Sequence, residues 1–192
     1  MVNKNSNIFI ISGPSGAGED SIIKGLRKHF PIESVVTTTT RNMRPGESNG
    51  NPYWFVLREE FEKRRDNGEF VEWAEQYNSN LYGVTKKEIE RIKNSGKVGI
   101  WKIDYKGVIT AKKVYPEIPA IFITVPSLDI LEKRIRNRDY ASEEYIKERM
   151  EYTREWMKHK DIYDYTIINE EGKLDKAIKE AVEIIKSNIK NG

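Results

Sequence analysis

Short apolar runs alternate along this chain with longer stretches in which apolar residues recur every three or four positions. The runs are rich in isoleucine, valine and aromatic residues, as buried β-strands are, and they cover Ile8–Ser12, Gly99–Asp104, Ala120–Val125 and Tyr165–Asn169. The longer spacing predicts amphipathic helices, the first marked by Ile22, Ile23, Leu26 and Phe30 and the last by Leu174, Ala177, Ile178, Ala181, Ile184 and Ile185. This alternation predicts an α/β fold with a parallel sheet flanked by helices.

Two stretches interrupt the alternation. Residues 34–83 resemble short strands and turns with one helix near 58–67, and residues 127–160 are highly charged and helical. The sequence Thr85-Lys86-Lys87-Glu88 has the form of a capping box and predicts a further helix, which Gly96 closes. Neither stretch contains a repeat or a linker, so we interpret both as insertions within one domain.

Composition narrows the class of protein. Of the 192 residues, 38% are apolar and 33% are charged, with a net charge of +3, which suits a folded domain rather than a disordered chain. Acidic and basic residues alternate, so nucleic acid is not a predicted partner. No apolar stretch approaches the roughly 20 residues of a membrane span, so no membrane partner is predicted either. The absence of cysteine, and of a signal-peptide core behind the polar residues 1–7, predicts a cytoplasmic protein.

The strand Ile8–Ser12 leads directly into the sequence GPSGAGEDS. A glycine-rich turn between a buried strand and a helix directs backbone N–H groups and the positive end of the helix dipole into one concavity, which binds phosphate. A plain turn that binds nothing is the alternative. The candidate residues of this phosphate loop are Gly13, Ser15, Gly16, Ala17, Gly18, Glu19, Asp20 and Ser21.

The loop lacks two residues of the complete motif. Lysine and then serine or threonine normally stand where this chain has Glu19 and Asp20. A unit charge near a phosphate oxygen contributes roughly 4 kcal/mol, so exchanging lysine for glutamate shifts the balance by about 8 kcal/mol against ATP. Other positively charged groups must compensate for this lost attraction, or the site does not bind ATP.

Seven sequence blocks, in order, carry a resemblance over nearly the whole chain: GPSGAG, TTTTRNMRPGESNGNPY, EFVEWAE, LYG, IDYKGV, RIRNRDYASEEYIKERM and YDYTIIN. On these blocks the chain resembles the guanylate kinase family. The resemblance implies a P-loop NTPase fold with a five-stranded parallel sheet, a small mixed β insertion that binds the nucleoside monophosphate, and a helical lid. It implies one domain over residues 1–192, with a core of 7–33, 97–126 and 160–192, a GMP-binding insertion of 34–96 and a lid of 127–159.

The resemblance also implies the residues that bind GMP, which are Thr37, Arg41, Arg44, Tyr53, Glu72, Tyr82 and Asp104. The two arginines offer forked, permanently charged donors to the monophosphate, and the two tyrosine hydroxyls reach the same group. Guanine presents donors at N1 and N2, which the two carboxylates accept, and the threonine hydroxyl completes the pocket. Taken singly, these residues also fit an exposed basic turn and half-buried tyrosines. Together they match both ends of one ligand.

On the donor side, the resemblance implies catalytic lid arginines at Arg134, Arg138 and Arg149. Arginines that close over transferring phosphoryl oxygens stabilise the charge that develops there, although a solvated helix face is the alternative interpretation. Asn169, after the last strand, matches the adenine-side position. The implied reaction is phosphoryl transfer from ATP to GMP with Mg²⁺ as cofactor, and the implied partners are these small-molecule nucleotides. The oligomeric state is not predicted.

Further departures from the family pattern bear on this reaction. Lys102 stands where the family has an aspartate that assists the metal, and Val84 replaces a hydroxyl that contacts guanine. Because the strand ending near Lys102 lies beside the loop in this fold, we expect Lys102 to face Glu19. Lys102 then either supplies the missing ammonium, as a catalytic residue, or neutralises Glu19. Asp20 is a candidate Mg²⁺ ligand, since carboxylate oxygen suits that ion.

Two other functions stay open at this point. A GMP-binding or protein-interaction module that has lost phosphoryl transfer would resemble the guanylate-kinase-like domains of scaffold proteins. The intact GMP side and altered ATP side favour that module, and the lid arginines oppose it. A small-molecule kinase of the same fold with a different acceptor is the other possibility, because Val84 alters the base pocket.

Overall fold

The protein is described by a computed structural model, which covers residues 6–75, 79–139 and 142–189, without the side chains of residues 138 and 139. The main sheet consists of β1 (Ile8–Ser12), β2 (Ile32–Ser34), β7 (Val98–Lys102), β8 (Ala120–Thr124) and β9 (Tyr165–Ile168). The strand order is β2-β7-β1-β8-β9, and every neighbouring pair is parallel. The predicted five-stranded parallel sheet is therefore confirmed.

Four of these strands match the predicted runs to within two residues at each end. The fifth, β2, was not located from the sequence. It is an edge strand of three residues, Ile-Glu-Ser, none of them fully buried. One apolar residue in three gives no periodic signal, and only pairing with β7 makes this segment a strand.

Helices cover both faces of the main sheet. Five of them accompany it: α1 (Glu19–Leu26), α4 (Tyr105–Val114), α5 (Leu128–Asp139), α6 (Glu143–Met157) and α7 (Leu174–Asn188). β1 is buried along its whole length, and its side chains alternate between two cores. Phe9 and Ile11 pack with α1 and α7, whereas Ile8 and Ile10 pack with Trp101 and α4. The strand before the phosphate loop is thus held from both sides.

A second, smaller sheet contains β3 (Thr38–Thr39), β4 (Trp54–Phe55), β5 (Phe70–Glu75) and β6 (Leu81–Thr85) in the order β4-β3-β6-β5. It is mixed, because β3 pairs with β4 in parallel and with β6 antiparallel. Helices α2 (Arg58–Asp66) and α3 (Lys86–Lys93) accompany it. Val84 of β6 is fully buried and packs beside Trp101, so this side chain belongs to the apolar core.

The predicted start of α3 is confirmed in part. The Thr85 hydroxyl accepts a hydrogen bond from the Glu88 N–H at 3.2 Å. The Glu88 carboxylate, however, does not complete the capping box. It accepts hydrogen bonds from the Val36 N–H at 2.8 Å, the Trp54 indole at 3.2 Å and the Arg91 guanidinium, and so ties α3 to the smaller sheet.

Two helix ends differ from prediction. α3 ends at Lys93, and Gly96 adopts its positive φ of 69° in the turn that follows. α1 ends at Leu26 rather than reaching Phe30, because the chain turns through residues 27–29. Phe30 nevertheless packs against the core as its spacing predicts.

The charged stretch after β8 forms α5 and α6, followed by a 3₁₀ turn at Lys160–Ile162. The second half of α6 packs on the core through Trp156, which joins Tyr105 and Phe122 in an aromatic cluster. Among the described residues, no helix has the length and apolarity needed to cross a membrane.

Candidate active site

The glycine loop connects β1 to α1 in the conformation that its sequence predicts. Gly16 and Gly18 have φ angles of 87° and 96°, which side-chain-bearing residues rarely adopt. Gly13 is required for a different reason, because a Cβ atom there would lie 2.3 Å from the Ile123 carbonyl oxygen. A hydrogen bond from the Ala17 N–H to the Pro14 carbonyl, at 3.0 Å, closes the turn.

Asn169 and Arg134 hold this loop in place through hydrogen bonds to its backbone carbonyls. The Asn169 amide is buried and donates to the Ala17 carbonyl at 2.8 Å, while the Asn169 backbone N–H donates to the end of β8 at 2.7 Å. Arg134 donates to the Gly16 carbonyl at 3.2 Å and to the Asn169 carbonyl at 3.1 Å. The predicted adenine-side residue and one predicted lid arginine therefore both contact the loop backbone.

Lys102 pairs with a different carboxylate from the one predicted. Its ammonium donates to Asp20 Oδ1 at 2.7 Å, so the expectation that it directly faces Glu19 is corrected. Consecutive helical residues are rotated by about 100°, and in α1 this rotation leaves Asp20 exposed and Glu19 partly buried. Sequence alone does not decide which of two adjacent carboxylates meets a lysine from another strand.

Glu19 nevertheless lies within the electrostatic reach of Lys102. Burial raises the pKa of the Glu19 carboxyl, while the backbone N–H groups of Glu19 and Gly18 and the charge of Lys102 act in the opposite direction. The carboxylate thus brings a negative charge to the first turn of α1, where backbone N–H groups would otherwise serve a phosphate. This is the unfavourable charge that the sequence predicted in the site.

All seven predicted GMP-binding residues line one cleft. Its volume is about 600 Å³, and it lies between the smaller sheet and the carboxyl end of β7. The lining residues are Thr37, Arg41, Arg44, Glu47, Pro52, Tyr53, Glu72, Ala74, Tyr82, Lys102, Ile103 and Asp104. Side chains separated by up to 67 positions in the sequence are therefore brought together, and Lys102 joins them.

The basic part of the cleft is preorganised by Glu47. Its two carboxylate oxygens accept hydrogen bonds from Arg41 at 2.8 and 2.9 Å, and one also accepts the Arg44 N–H at 2.8 Å. The Arg41 guanidinium lies 5.3 Å from the ring centres of Tyr53 and Phe55. Glu47 was not predicted as a site residue, although an acidic residue in the same short turn as two arginines is a usable signal.

Tyr53 and Tyr82 lie side by side in the cleft. Their ring centres are 5.9 Å apart in an edge-to-face arrangement, which fixes both rings. Because the Arg41 guanidinium also packs on Tyr53, the tyrosine pair and the arginine form one end of the cleft.

Two carboxylates, those of Glu72 and Asp104, line the other end of the cleft. Burial, and then the charge of Asp104, raise the pKa of Glu72 to about 7, although the Val84 backbone N–H lowers it. Asp104 Oδ1 accepts the Gly107 N–H at 2.9 Å and thereby caps α4, while Oδ2 accepts the Tyr152 hydroxyl at 2.7 Å. Tyr152, on α6, gave no signal in the sequence because nothing there indicates that α6 reaches this cleft.

Arg138 and Arg149 are the other arginines that were predicted to lie in the lid. Arg149 packs on the Tyr145 ring at 5.0 Å, and its buried Nε–H has no hydrogen-bond partner among the described residues. The side chain of Arg138 lies outside the described residues. Arg136 pairs with Glu132 at 2.8 Å and with Glu143 at 2.9 Å, as expected for a solvated face.

The residues near the loop fit a magnesium ion that is shared with a nucleotide. Mg²⁺ usually binds one or two carboxylates together with substrate phosphates and water. Asp20 offers an exposed carboxylate in the first turn of α1, and Ser21 is the next residue in the sequence. The described part of the chain contains no group of three or more metal-binding side chains, so an ion here would depend on the nucleotide for its other ligands.

The fold and the site define a class. A phosphate loop after the central strand of a parallel sheet, an arginine- and tyrosine-lined cleft at the carboxyl edge, and helices that contact the loop are the parts of a P-loop kinase. The sequence model of the guanylate kinase family matches residues 5–188. The chain belongs to the guanylate kinase family.

Individual relatives agree with this membership. The chain is 42% identical to a guanylate kinase of Idiomarina loihiensis over 86% of this chain and 80% of the relative. It is also 42% identical to one of Shewanella violacea, over 94% and 87% of the two chains. The crystal structure of guanylate kinase from Anaplasma phagocytophilum is similar with a TM-score of 0.67 at 28% identity, covering 100% of this chain and 90% of that one.

Proposed function

We propose that the protein transfers the γ-phosphoryl group of ATP to GMP, forming ADP and GDP. The observation that carries this proposal is the single cleft that contains all seven predicted acceptor-binding residues and extends to Lys102, the partner of Asp20 in α1. Membership of the guanylate kinase family supports the same reaction. An oxygen of the GMP phosphate attacks the γ-phosphorus, the bond to the β–γ bridging oxygen breaks, and ADP leaves.

On the acceptor side, we assign monophosphate binding to Arg41, Arg44, Tyr53 and Tyr82. Arg41 is already held by Glu47 and by aromatic rings, so little side-chain entropy is lost when the phosphate binds. At the base end, Glu72, Asp104 and Thr37 would accept or complete the hydrogen bonds of guanine. Val84 contributes packing, because it is buried and carries no hydroxyl.

On the donor side, we propose that the loop of residues 13–21 binds the ATP phosphates and that Asn169 holds this loop in place. Arg134, Arg138 and Arg149 would stabilise charge on the transferring group. This role is supported by the Nε–H of Arg149, which has no hydrogen-bond partner among the described residues. Asp20 would hold Mg²⁺, which when bound compensates the charge of the nucleotide phosphates. The protein otherwise positions the reactants and excludes water.

The division of the chain is part of the proposal. Residues 34–96 would form the GMP-binding unit, residues 127–159 the lid, and residues 7–33, 97–126 and 160–192 the core. The smaller mixed sheet falls within the first of these ranges and helices α5 and α6 within the second. The cytoplasmic location and the lack of nucleic-acid or membrane partners stay predictions.

One experiment tests the function directly. ADP formation from MgATP is measured with GMP, dGMP, AMP and ribose bisphosphate as acceptors, and GMP binding is measured by calorimetry. We expect turnover with GMP well above turnover with AMP or ribose bisphosphate. Turnover with another acceptor alone would instead support a kinase of different specificity.

Glu19 favours one other function. Its partly buried carboxylate lies in the first turn of α1, directly after the phosphate loop, and its negative charge opposes an incoming phosphate. A GMP-binding module without phosphoryl transfer would have this property. Tight GMP binding without ADP formation in the same experiment would select the module.

A further inference from the structure

Lys102 lies where the two nucleotide sites meet. Lys102 pairs with Ile11 in the β7–β1 ladder, and Ile11 lies two positions before Gly13, where the loop begins. Its ammonium reaches Asp20 at 2.7 Å, and the same side chain lines the GMP cleft with Arg41 and Tyr82. In a kinase the γ-phosphoryl group crosses from one such site to the other, so this is the region that the transferring group must occupy.

The charges near the loop require a cation at this point. Glu19 and Asp20 bring two carboxylates to the first turn of α1, and the motif's usual lysine is missing. The charge of Lys102 acts on Glu19, and its ammonium pairs with Asp20. Its side chain is 48% exposed and that of Asp20 is 73% exposed, so the pair is solvated and weak. A flexible four-carbon stem can therefore exchange this carboxylate for a phosphate at little cost.

We propose that Lys102 replaces the missing loop lysine and binds the phosphoryl group that is transferred. In the nucleotide-free protein Lys102 rests on Asp20. When MgATP binds, the ammonium moves to the phosphoryl oxygens and the Asp20 carboxylate becomes available to the metal ion. The assignment of a transferred group rests on the proposed function, whereas the ATP-binding role of Lys102 can be tested without it.

The Lys102→Ala variant tests this proposal by calorimetry of ATP binding, with and without Mg²⁺, and by steady-state kinetics. We expect ATP affinity to fall at least about tenfold and kcat roughly 100-fold, the cost of removing one donor to a transition-state anion. Lys97→Ala is the matched control, because Lys97 lies just before the start of the same strand, is 50% exposed and pairs with Glu33 at 3.0 Å. We expect its affinity and kcat to match the parent.

The possible outcomes separate the two claims. If the parent forms no ADP with GMP but Lys102→Ala still loses ATP affinity, the proposed reaction fails and the binding role stands. If Lys102→Ala binds ATP and turns over as the parent does, the replacement is refuted. Thermal unfolding of both variants verifies that each is folded.

Returning the lysine to the loop provides a second test. Glu19→Lys in the Lys102→Ala background should recover at least about tenfold in ATP affinity, since the new ammonium takes over the vacant role. Glu19→Lys in the parent should raise ATP affinity by less, because Lys102 already supplies the ammonium there. Equal gains in the two backgrounds would mean that the residues act independently and would contradict the proposal.

Tyr152 carries a second inference through a separate contact. Its hydroxyl donates to Asp104 Oδ2 at 2.7 Å, and the Gly107 N–H holds the other oxygen at 2.9 Å. The Tyr152 ring is itself fixed by Tyr105 and Trp156, with ring centres 5.5 and 5.8 Å away. Burial and the Asp104 carboxylate raise the pKa of Tyr152, so the phenol stays a donor.

We infer that Tyr152 is a positioning residue for guanine recognition. It acts through Asp104, whose carboxylate plane is set by one donor from α4 and one from α6. A base-binding carboxylate that is free to rotate would lose orientation entropy on each binding event. The lid helix therefore supports the pocket of the acceptor base, a role that rests on the proposed function for its ligand.

Tyr152→Phe removes only the hydroxyl and keeps the packed ring. We expect the dissociation constant and KM for GMP to rise about tenfold, with kcat and the KM for ATP within twofold. Tyr165→Phe on β9 is the control, because it removes a hydroxyl that hydrogen-bonds to Asn188 of α7, and it should change neither the GMP nor the ATP parameters. Equal losses for ATP and GMP, or an unchanged GMP affinity, would overturn the inference.

Discussion

At the scale of single residues, Glu72 combines the guanine-binding role that we propose for it with a cost to stability. Burial and the charge of Asp104 raise the pKa of Glu72 to about 7, well above the ordinary value of about 4.5 for a glutamate side chain. A carboxyl with a raised pKa destabilises the folded state when it ionises, so its contribution worsens as pH rises from 4.5 through 7. This pKa difference lowers the free energy of unfolding by about 3 kcal/mol at pH 8. The hydrogen bonds that the ionised carboxylate would accept from guanine offset this cost when GMP binds.

This charge state predicts the pH dependence of GMP binding. Below pH 7 Glu72 is protonated and offers a poorer acceptor, so GMP affinity should rise about tenfold or more from pH 5.5 to pH 8, as calorimetry would measure. Glu72→Gln should bind GMP weakly at every pH and be more stable than the parent at pH 8. Glu75→Gln, an exposed neighbour on β5, serves as the control. A parent affinity that does not change with pH would contradict the assignment.

At the scale of elements, the junction between the loop and α1 depends on a contact with the end of β9. Gly18 has a φ of 96°, and a Cβ atom there would lie 2.3 Å from the Asn169 amide nitrogen. The motif explains the first requirement, because a tight turn before a helix favours glycine. The second requirement arises only in the folded protein, since Asn169 follows Gly18 by 151 positions.

Substituting this glycine separates the two requirements. Gly18→Ala should destabilise the protein by more than about 2 kcal/mol, the sum of a left-handed backbone and a displaced Asn169 hydrogen bond, and should weaken ATP binding more than tenfold. Gly68→Ala has a similar φ of 67° with open space around it. It should cost only about 1–2 kcal/mol and leave ATP binding unchanged, as denaturation and calorimetry would measure. Equal effects of the two variants would show that Asn169 plays no part.

Element prediction succeeded where one local signal dominates and failed where pairing decides. The buried strands and the loop follow from hydrophobic runs and glycine spacing. The edge strand β2 does not, because three residues with one isoleucine become a strand only against β7. The capping box at Thr85 predicted the helix start, but the Glu88 side chain found stronger partners in Trp54 and Arg91.

At the scale of the whole molecule, the cleft that we propose for GMP brings together parts that are distant in the sequence. It lies between the smaller sheet and the end of β7, and Tyr152 connects its base end to α6. A ligand that bridges such parts stabilises the folded state, because it binds there and not to the unfolded chain.

GMP should therefore raise the thermal stability of the protein. At 100 times its dissociation constant the expected gain is about 2.7 kcal/mol, which for a chain of this size is a shift of about 5–10 °C in Tm. Arg41→Ala should abolish most of the shift at the same concentration. Arg65→Ala, which loses an exposed pair with Asp66 on α2, should keep it. A full shift in Arg41→Ala would remove Arg41 from the phosphate site.

The sequence alone determined the α/β class and the position of the phosphate loop, through buried runs and glycine spacing. Its resemblance to the guanylate kinase family, carried by short motif blocks, named the residues that gather in the cleft between the smaller sheet and β7. Only the tertiary structure decided that Lys102 meets Asp20 rather than Glu19 and that Tyr152 reaches Asp104. Such pairings depend on side-chain direction and on the packing of distant elements, and both are set by the whole fold rather than by neighbouring residues.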